Sequence, residues 1–538
     1  MTLEPVIGLE IHVQLKTKSK MFCGCDNRAD DPVPSPSAPG RDSADNGRPE
    51  PRDGAGALPN TAVCPICMGH PGTLPVTNRQ AVLWGVRVGL ALNCEIPEHS
   101  KFDRKNYFYP DLPKGYQISQ YDEPIAKSGY FEFSVPTKEK NERLSARVRI
   151  TRAHLEEDAA KLLHGSEGAS FVDFNRAGTP LVEIVTEPDF HSPLEAKTFL
   201  QELRLLMRYL KVSDADMEKG NLRCDANISL RPVIDDPKKE TGSAMQLYPK
   251  TEIKNINSFR AVERALEYEI ERQTRIWEEG GPLMVSTTRG WNGEKQVTEE
   301  QRTKEAAHDY RYFPEPDLPT LELAEIAESA RGGLPELPQA RRRRFIDEFG
   351  FTAADARTAT DDPELAEYAE QVISELAEWL KTLPEVEGGA EEIWEKHKAK
   401  LAKLVSGWLL SKLGGLMAQE KVAMRTLKVT PENFAELIAM IYGNKISSSA
   451  AQTILLEMLR TGADPSHVME EKNLGQMSDE AELETVVARV LIHHPQQVRD
   501  YKAGKAQVIK FLVGVIMKET EGRANPKRAE ELLAEKMR

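Results

Sequence analysis

The segment LEIHVQL at residues 9–15 alternates apolar and polar side chains with the period of two that is typical of a β-strand. Three further segments repeat this pattern: LVEIV at 181–185, CDANISL at 224–230 and TEIKN at 251–255. Successive side chains of a strand point to opposite faces of the sheet, so the polar residues of each segment share one face. The pattern therefore predicts one polar floor, built from several strands over an apolar core.

The groups on this predicted polar floor are those that bind metals and phosphates. They belong to Glu10, His12, Glu183, Asp225, Asn227, Glu252 and Lys254. A fifth segment, HLEED at 154–158, adds three consecutive carboxylates shortly before Glu183. Such a density of oxygen ligands suits Mg²⁺, with substrate phosphates completing its shell. An antiparallel sheet with one ordinary wet face is the alternative, although such a face usually carries more Lys, Thr and Arg.

Four of the six cysteines form two close pairs. Cys23 and Cys25 are one residue apart, and Cys64 and Cys67 are two residues apart. Four thiolates at such spacings predict a closed, structural Zn²⁺ site, with reduced core thiols or a redox couple as the alternatives. The intervening segment 30–59 is rich in Pro, Gly, Ser, Asp and Arg and has no hydrophobic period, so we expect a mobile loop stapled at its base by the zinc.

The length and charge of the chain restrict its class. Its 538 residues suffice for three or four domains of ~150 residues, and the longest apolar run, at 511–517, is far shorter than the ~20 residues of a membrane helix. The N-terminus enters a strand pattern without a leader-like segment, so we expect a cytoplasmic protein with no membrane contact. A net charge of −14 opposes a general coat of nucleic acid. Residues 485–538 are nevertheless basic, which indicates either a nucleic-acid contact or a solvated helical face.

The order of strand and helix patterns predicts an α+β protein. Residues 1–295 read as a mixed or antiparallel sheet body with helices at 78–92 and 193–210, residues 296–410 as a helical domain and residues 411–538 as an all-α tail. Helical patterns after residue 303 lie at 365–383, 391–416, 431–440, 447–459, 479–493 and 505–518. Two aromatic and basic segments, at 105–110 and 310–314, suit either base stacking or simple packing.

Motifs of the common nucleotide and hydrolase sites are absent from the sequence. There is no P-loop, no G-x-G-x-x-G after a strand, no kinase catalytic loop, no G-x-S-x-G and no H-E-x-x-H. A covalent serine or cysteine intermediate is therefore not expected. Metal-assisted phosphoryl transfer or a metal-organised binding site remains, because both depend on positioning and charge neutralisation.

Seven strings along the chain resemble the GatB family, which belongs to the aspartyl/glutamyl-tRNA amidotransferases. They are VIGLEIH at 6–12, LPNT at 58–61, HLEEDA at 154–159, VDFNRAGTPL at 172–181, LRCDANIS at 222–229, TEIKNINSF at 251–259 and DYRYFP at 309–314. The strings occur in order over nearly the whole chain. No synthetase-like domain is inserted, which favours GatB over its archaeal relative GatE, whereas the loop at 30–59 is longer than is usual for the family.

The resemblance implies a fold and a reaction. The body at 1–295 would be a kinase-like cradle, and the tail at 411–538 would be a YqeY-like domain that meets tRNA. In this family ATP phosphorylates the side-chain carboxylate of Glu-tRNA(Gln) or Asp-tRNA(Asn), and ammonia then displaces the phosphate. The ammonia comes from glutamine hydrolysed in a GatA amidase, with GatC as a small bracing partner. The chain would thus be part of an ATP-dependent carbon–nitrogen ligase with glutamine as amido donor.

The resemblance also implies site residues. The Mg²⁺ ligands of the family match Glu10, His12, Glu156 or Glu157, Glu183 and Asp225. Lys254, Arg176 and Arg223 are candidates to neutralise the transferring phosphoryl group, although each suits a structural ion pair equally well. Asn175 and Asn227 are candidates to orient the acyl group. Two other functions stay open: a non-catalytic tRNA-binding scaffold with a structural Mg²⁺, and a zinc-stapled carboxylate kinase acting on a small molecule, which the basic tail disfavours.

Overall fold

The computed structural model describes residues 2–27, 58–137, 143–164, 169–233, 247–303, 310–381, 390–475, 480–520 and 523–537. The predicted loop at 30–59 lies outside the described residues, apart from its last two. The chain divides into two compact units, Met1–Leu337 and Pro338–Arg538. The first unit combines sheets and helices and the second is helical, which confirms the predicted α+β class.

The strands all lie in the first unit, as far as the chain is described. They are β1 (Leu3–Gln14), β2 (His99–Ser100), β3 (Asp103–Asn106), β4 (Tyr116–Ser119), β5 (Ala126–Pro136), β6 (Arg143–Glu157), β7 (Lys161–His164), β8 (Ser170–Asp173), β9 (Pro180–Thr186), β10 (Leu222–Pro232), β11 (Thr251–Ile256), β12 (Thr287–Asn292), β13 (Val297–Thr303), β14 (Phe313–Pro314) and β15 (Leu321–Glu322). The helices of this unit are α1 (Arg79–Ala91), α2 (Pro193–Tyr209), α3 (Phe259–Gly280) and α4 (Ala324–Gly332).

A mixed sheet forms the body of the first unit. Within the described ranges it has eight strands in the order β13-β12-β11-β10-β1-β9-β6-β5. Neighbouring strands are antiparallel except for β11 and β12, which run parallel. Smaller sheets join β14, β3 and β4, then β15 and β2, and also β7 and β8. All four of the segments first quoted are strands of the large sheet, at β1, β9, β10 and β11.

Three helices cover the apolar face of this sheet. Ile7, Leu9, Ile11 and Val13 of β1 are fully or almost fully buried, as the period of two requires. Helix α1 packs against β5 and β6, α2 against β5, and α3 against β10 and β11. The burial of these side chains holds the helices to one side of the sheet, so its other face is left for polar groups.

The first two helices begin where the sequence predicts. The Asn78 side chain accepts hydrogen bonds from the backbone N–H groups of Gln80 and Ala81 at the start of α1. Ser192 accepts one from Glu195 at the start of α2, where Pro193 occupies the first turn. Each cap satisfies backbone donors that have no partner within the helix, an effect of about 1 kcal/mol.

The segment after residue 303 contains more strand than the sequence predicts. Phe313 pairs with Arg104 of β3, and Leu321 pairs with Ser100 of β2. Such two-residue strands have no period of their own, because their conformation is set by distant partners. Hydrophobic residues of this segment also pack on the core of the first unit: Leu318, Leu321, Ile326, Leu334 and Leu337. The first unit therefore extends to Leu337, and the predicted boundaries at 295 and 410 stay predictions.

The second unit is helical. Its α-helices are α5 (Pro338–Asp347), α6 (Ala353–Thr360), α7 (Pro363–Leu380), α8 (Ala390–Ser406), α9 (Gly414–Glu420), α10 (Pro431–Tyr442), α11 (Ser448–Thr461), α12 (Pro465–Glu471), α13 (Glu480–His493), α14 (Pro495–Lys502), α15 (Val508–Glu519) and α16 (Pro526–Lys536). A π-helical segment, Gly407–Leu413, joins α8 to α9, and Met424–Thr426 is a 3₁₀ turn. The six helical patterns predicted after residue 303 are each found in this unit.

The hydrophobic residues of the second unit form two clusters. One contains Phe345, Trp408, Phe434 and residues as far as Val468. The other, from Leu483 to Met537, is made by α13, α15 and α16 with adjoining residues. Among the described residues, no helix combines the length and the apolar character needed to cross a membrane.

Candidate active site

The register of the large sheet brings the predicted polar residues onto one face. Glu10 lies opposite Asp225, and His12 lies opposite both Arg223 on one side and Glu183 on the other. Glu183 lies opposite His154 of β6. Residues directly opposite each other in a sheet point to the same face, and so do residues two apart in one strand. The polar floor expected from the sequence therefore exists as a row of side chains across four strands.

A compact trio of possible metal ligands lies on this face. The Nε2 atom of His12 is 3.2 Å from Oε2 of Glu183 and 3.4 Å from Oε1 of Glu156. Ligand atoms of the three residues all lie within 4.8 Å of one another. Glu156 and Glu183 are buried and His12 is half-buried. Two carboxylates and an imidazole held this closely can share one divalent cation.

The charges of this trio depend on one another. Burial alone would disfavour the imidazolium, but the carboxylates of Glu183 and Glu156 outweigh it and raise the pKa of His12 to about 9. Burial likewise opposes the charge of Glu183, yet His154 and His12 hold its pKa well below the usual value. A metal ion that takes the place of the His12 proton would be held by the same negative field.

Glu10 and Asp225 lie beside the trio in a second polar group. Oε1 of Glu10 accepts a hydrogen bond of 3.1 Å from the side-chain amide of Asn227. The Lys254 ammonium contacts Asp225 and lies 3.0 Å from Glu252. The side-chain oxygen of Asn227 is buried and accepts no hydrogen bond from any described residue. A ligand that donates a hydrogen bond at this point would satisfy it.

Glu157 is not brought to the trio. It lies opposite Pro180, on the other face of β6 from Glu156. Its carboxylate accepts hydrogen bonds of 2.6 Å from Lys114 and 2.9 Å from the backbone N–H of Ile118. Of the two neighbouring glutamates, Glu156 is thus the one placed to act with His12 and Glu183.

Arg223 and Arg176 converge on one buried carboxylate. Oδ2 of Asp158 is 2.7 Å from Nη2 of Arg223 and 3.5 Å from Nε of Arg176. Burial by itself opposes the charge of Asp158, but the two guanidinium groups and a bond from Gln14 hold its pKa below the usual range. Arg176 also donates to the backbone oxygens of Ala159 and Ala160. The structural ion pair that the sequence left open is therefore present for both arginines.

Asn175 serves the segment that leads to the second cysteine pair. Its side-chain oxygen accepts a hydrogen bond of 2.8 Å from the Ala62 N–H, and its amide donates one of 2.8 Å to the Leu58 carbonyl. Asn175 is almost fully buried. Its hydrogen-bonding groups are thus used within the chain, away from the trio.

Two cations near the trio were not predicted from the sequence. The Lys105 ammonium lies 5.0 Å from the centre of the Tyr310 ring. Burial alone would favour neutral Lys105, but Glu156 and Glu183 raise its pKa. Arg152 lies opposite Val185, two residues before His154 on the polar side of β6, and its Nε atom is buried without a partner among the described residues. The aromatic and basic segments at 105–110 and 310–314 were the available signal, because they supply Lys105 and Tyr310.

A cavity of about 290 Å³ opens beside Glu10. Glu10, Asn227 and Ser229 contribute polar groups, and Val185 and Leu247 contribute apolar ones. Gly8 also lines it, and a Cβ added there would make only ordinary contacts, the nearest at 3.5 Å from Pro188. The cavity thus combines apolar walls with a few polar groups, as small-ligand sites do.

The four paired cysteines form a separate cluster. Sulfur atoms of Cys23, Cys25, Cys64 and Cys67 all lie within 4.8 Å of one another. Sulfur atoms around a tetrahedral zinc, each at ~2.3 Å from the metal, would be roughly 3.8 Å apart. The pKa of Cys67 falls to about 4, since its sulfur accepts hydrogen bonds from the Cys23 thiol and the Cys64 N–H and lies near Lys20. The four residues can hold a metal ion.

The chain matches known protein families over most of its length. The profile of the GatB/GatE catalytic domain matches residues 5–328, and that of the GatB domain that carries the YqeY name matches residues 391–537. A protein of Caldanaerobacter subterraneus is 44% identical over 538 residues, which is 100% of both chains. A protein of Persephonella marina is 44% identical over 536 residues and 99% of both chains, and one of Brevibacillus brevis is 43% identical over 534 residues, 99% of this chain and 98% of its own.

All three relatives are named as the GatB-type component of an aspartyl/glutamyl-tRNA(Asn/Gln) amidotransferase. The similarity covers both structural units and the strands that carry the trio. The resemblance noted in the sequence is thereby confirmed. The chain belongs to the GatB family of tRNA amidotransferase components.

Proposed function

We propose that this chain carries the ATP-dependent step of a tRNA amidotransferase. It would use ATP to activate the side-chain carboxylate of Glu-tRNA(Gln), Asp-tRNA(Asn) or both, in a ligase that takes its amide nitrogen from glutamine. The observation that carries the proposal is the trio of His12, Glu156 and Glu183 on a face that also presents Glu10 and Asp225. A phosphate-binding surface without a P-loop needs such a set of metal ligands.

The proposed reaction has two steps. In the first, an oxygen of the glutamyl or aspartyl side chain attacks the γ-phosphorus of ATP, the bond from that phosphorus to the β-γ bridging oxygen breaks, and ADP leaves. In the second, ammonia attacks the activated carbonyl carbon, the bond to the phosphate oxygen breaks, and phosphate leaves with formation of the amide. Ammonia loses a proton in this step. The ammonia would come from a GatA-like amidase chain, braced by a small GatC-like chain.

The trio fits Mg²⁺ by its donor chemistry. Glu156 and Glu183 supply hard carboxylate oxygens, and His12 completes a set that could hold the ion, with Glu10 and Asp225 two residues away along their strands. When bound, Mg²⁺ would neutralise charge on the phosphates. Glu157 contributes to the fold through Lys114 in this proposal, and we do not assign it to the ion.

The cations of the site divide into two groups. Lys254, Arg176 and Arg223 are already paired with carboxylates, so their charges chiefly hold the acidic residues in place. Lys254 remains close enough to the floor to contact a phosphate together with Asn227. Arg152 has no ion pair within the described chain, and an unpaired guanidinium is better able to bind the transferring phosphoryl group. We therefore assign that role first to Arg152.

We place the nucleotide in the cavity beside Glu10. Its apolar walls at Val185 and Leu247 suit a base, and its polar end opens at Glu10 and Asn227, next to the trio. The unpartnered side-chain oxygen of Asn227 would accept a hydrogen bond there from a ribose hydroxyl or an amino group.

We assign Zn²⁺ to the four cysteines, in a structural role. Four thiolates fill a tetrahedral shell and leave no place for a reactant. For the tail at 411–538 we propose the contact with tRNA, since its last part is basic on an acidic chain.

The test of the activating step uses the complete amidotransferase, Glu-tRNA(Gln), γ-labelled ATP and Mg²⁺, without glutamine or ammonia. We expect tRNA-dependent release of labelled phosphate as the activated intermediate hydrolyses. Glu156→Gln should abolish it, and Glu132→Gln should not, because Glu132 is an exposed residue on β5 of the same sheet. Phosphate release that survives Glu156→Gln would remove the trio from the mechanism and favour a scaffold role.

A further inference from the structure

Lys20 is a lysine with no access to solvent. Its exposed fraction is 0%, and it lies three residues before Cys23, on the segment that carries the first cysteine pair. Lysine is almost never fully buried unless its charge is balanced, because removal of an ammonium from water costs several kcal/mol. The position therefore requires an explanation.

The contacts of the ammonium are two carbonyls and a sulfur. Nζ donates a hydrogen bond of 2.8 Å to the Ala62 oxygen and one of 3.4 Å to the Phe174 oxygen. It lies 3.9 Å from Sγ of Cys67. Among the described residues, no carboxylate forms an ion pair with Lys20, so the thiolates are the available source of negative charge.

A filled cysteine site would supply that charge. Four thiolates around a divalent ion leave a net charge of about −2, which is costly in a partly buried position. One ammonium at hydrogen-bonding distance from a ligand sulfur removes about half of it. Residues around the ligands of a metal site commonly tune its affinity by such contacts.

Lys20 also holds the second cysteine pair in position. The Ala62 carbonyl, two residues before Cys64, is bound by Lys20, and the Ala62 N–H is bound by Asn175. Both backbone groups of Ala62 are thus fixed before the chain enters the second pair. The two cysteine pairs are 39 residues apart from Cys25 to Cys64, yet Lys20 ties one to the other.

The turn at Gly178 leaves room for this arrangement. Gly178 has φ of +86°, and a Cβ there would lie 3.5 Å from Cδ of Lys20 and 3.6 Å from Cβ of Cys67. Its carbonyl accepts a hydrogen bond of 2.7 Å from the N–H of Met21. The lysine stem and the ligand Cys67 therefore pack together on one glycine turn.

We propose that Lys20 is the positioning residue of the cysteine metal site, where its ammonium offsets the thiolate charge and fixes the second cysteine pair. The inference rests on the metal assigned above. A lysine that serves only the fold, through the two carbonyls, is the competing explanation.

The test measures Zn²⁺ affinity of the full chain by competition with a chromophoric chelator. Lys20→Met removes charge and donor, whereas Lys20→Gln removes the charge and keeps a donor for the Ala62 carbonyl. We expect both variants to lose about 10- to 100-fold in affinity. Asn175→Ala is the matched control, because it frees the other side of Ala62 without a change of charge, and it should lose less than Lys20→Gln.

Cobalt provides a readout of geometry. Titration with Co²⁺ should give the thiolate-to-metal absorption band of a four-sulfur site in the wild type and in Lys20→Gln alike, with weaker binding in the variant. Unchanged Zn²⁺ affinity in Lys20→Gln would overturn the inference. Failure of both variants to fold in excess zinc would do so as well, since Lys20 would then serve the fold. A wild-type chain that binds no zinc would instead refute the metal assignment itself.

Discussion

Glu156 and Glu157 are neighbours in the chain, but their carboxylates lie on opposite faces of β6. Oε1 of Glu156 is 3.4 Å from Nε2 of His12, whereas Oε2 of Glu157 is 2.6 Å from Nζ of Lys114. The alternation of a strand forces this separation. Two residues that a motif treats as equivalent therefore have different roles in the proposal, one toward the substrate and one toward the fold.

This separation gives the first prediction. Glu156→Gln should lower tRNA-dependent phosphate release by about 10²–10³-fold, the usual effect of removing one group that stabilises developing charge. Glu157→Gln should keep most of the activity and instead lower the unfolding temperature, because Lys114 loses its buried partner. Steady-state phosphate release and thermal unfolding of both variants measure the two effects. Equal loss of activity in the two variants would contradict the division of roles.

Binding of Mg²⁺ should release a proton from His12. Its pKa of about 9 means that the metal-free site is protonated at pH 7, and a metal ligand must be neutral. Apparent Mg²⁺ affinity should therefore rise with pH up to about 9. Calorimetric titrations of the metal-free complex, in buffers of different ionisation enthalpy, count the protons. A binding enthalpy that is independent of the buffer would refute His12 as the ligand.

Asp158 should make the protein sensitive to acid. Its pKa is lower in the folded chain than the usual 3.8, so the folded state binds fewer protons there than the unfolded state. The contribution to stability is complete above the usual pKa and is lost as pH falls through the folded-state pKa. Asp158→Asn should reduce the free energy of unfolding by about 2 kcal/mol at pH 7, with a smaller difference from the wild type below pH ~3. Denaturant unfolding across this pH range provides the comparison, and a difference that grows on acidification would contradict the assignment.

Arg152 should be required for phosphoryl transfer. Arg152→Gln should lower tRNA-dependent phosphate release by about 10- to 100-fold without loss of the fold, because no described residue depends on its charge for an ion pair. Arg147→Gln is the control: Arg147 lies on the same strand, 58% exposed. If Arg152→Gln retained full activity while Glu156→Gln lost it, the activating step would stand and another cation, such as Lys254, would take the role.

Removal of residues 480–538 should weaken tRNA binding and leave the rest folded. The hydrophobic residues from Leu483 to Met537 form a cluster of their own, whereas a cut near 410 would divide the π-helical segment whose Trp408 and Leu413 are buried. Basic residues are concentrated in the part removed. Filter binding of Glu-tRNA(Gln) at two salt concentrations should show lower affinity and a smaller salt dependence. Unchanged affinity would refute the tail as a tRNA contact.

The sequence by itself determined the strands of the polar floor, the two cysteine pairs and the long helices. Each has a local cause: the period of two fixes the face of Glu10 and His12, and Asn78 and Ser192 cap helices that their own hydrophobic spacing defines. The family followed from strings that are read directly from the chain.

Only the tertiary structure decided which of these groups meet. Strand register placed His12 beside Glu183, whose positions in the sequence are far apart, and it separated Glu156 from Glu157. Arg152, Lys105 and Lys20 carry no motif, and their importance comes from what surrounds them: an unpartnered position near the floor, two buried carboxylates and a cluster of thiolates. Such properties depend on burial and on the distance between remote segments, and a single sequence without its fold does not specify them.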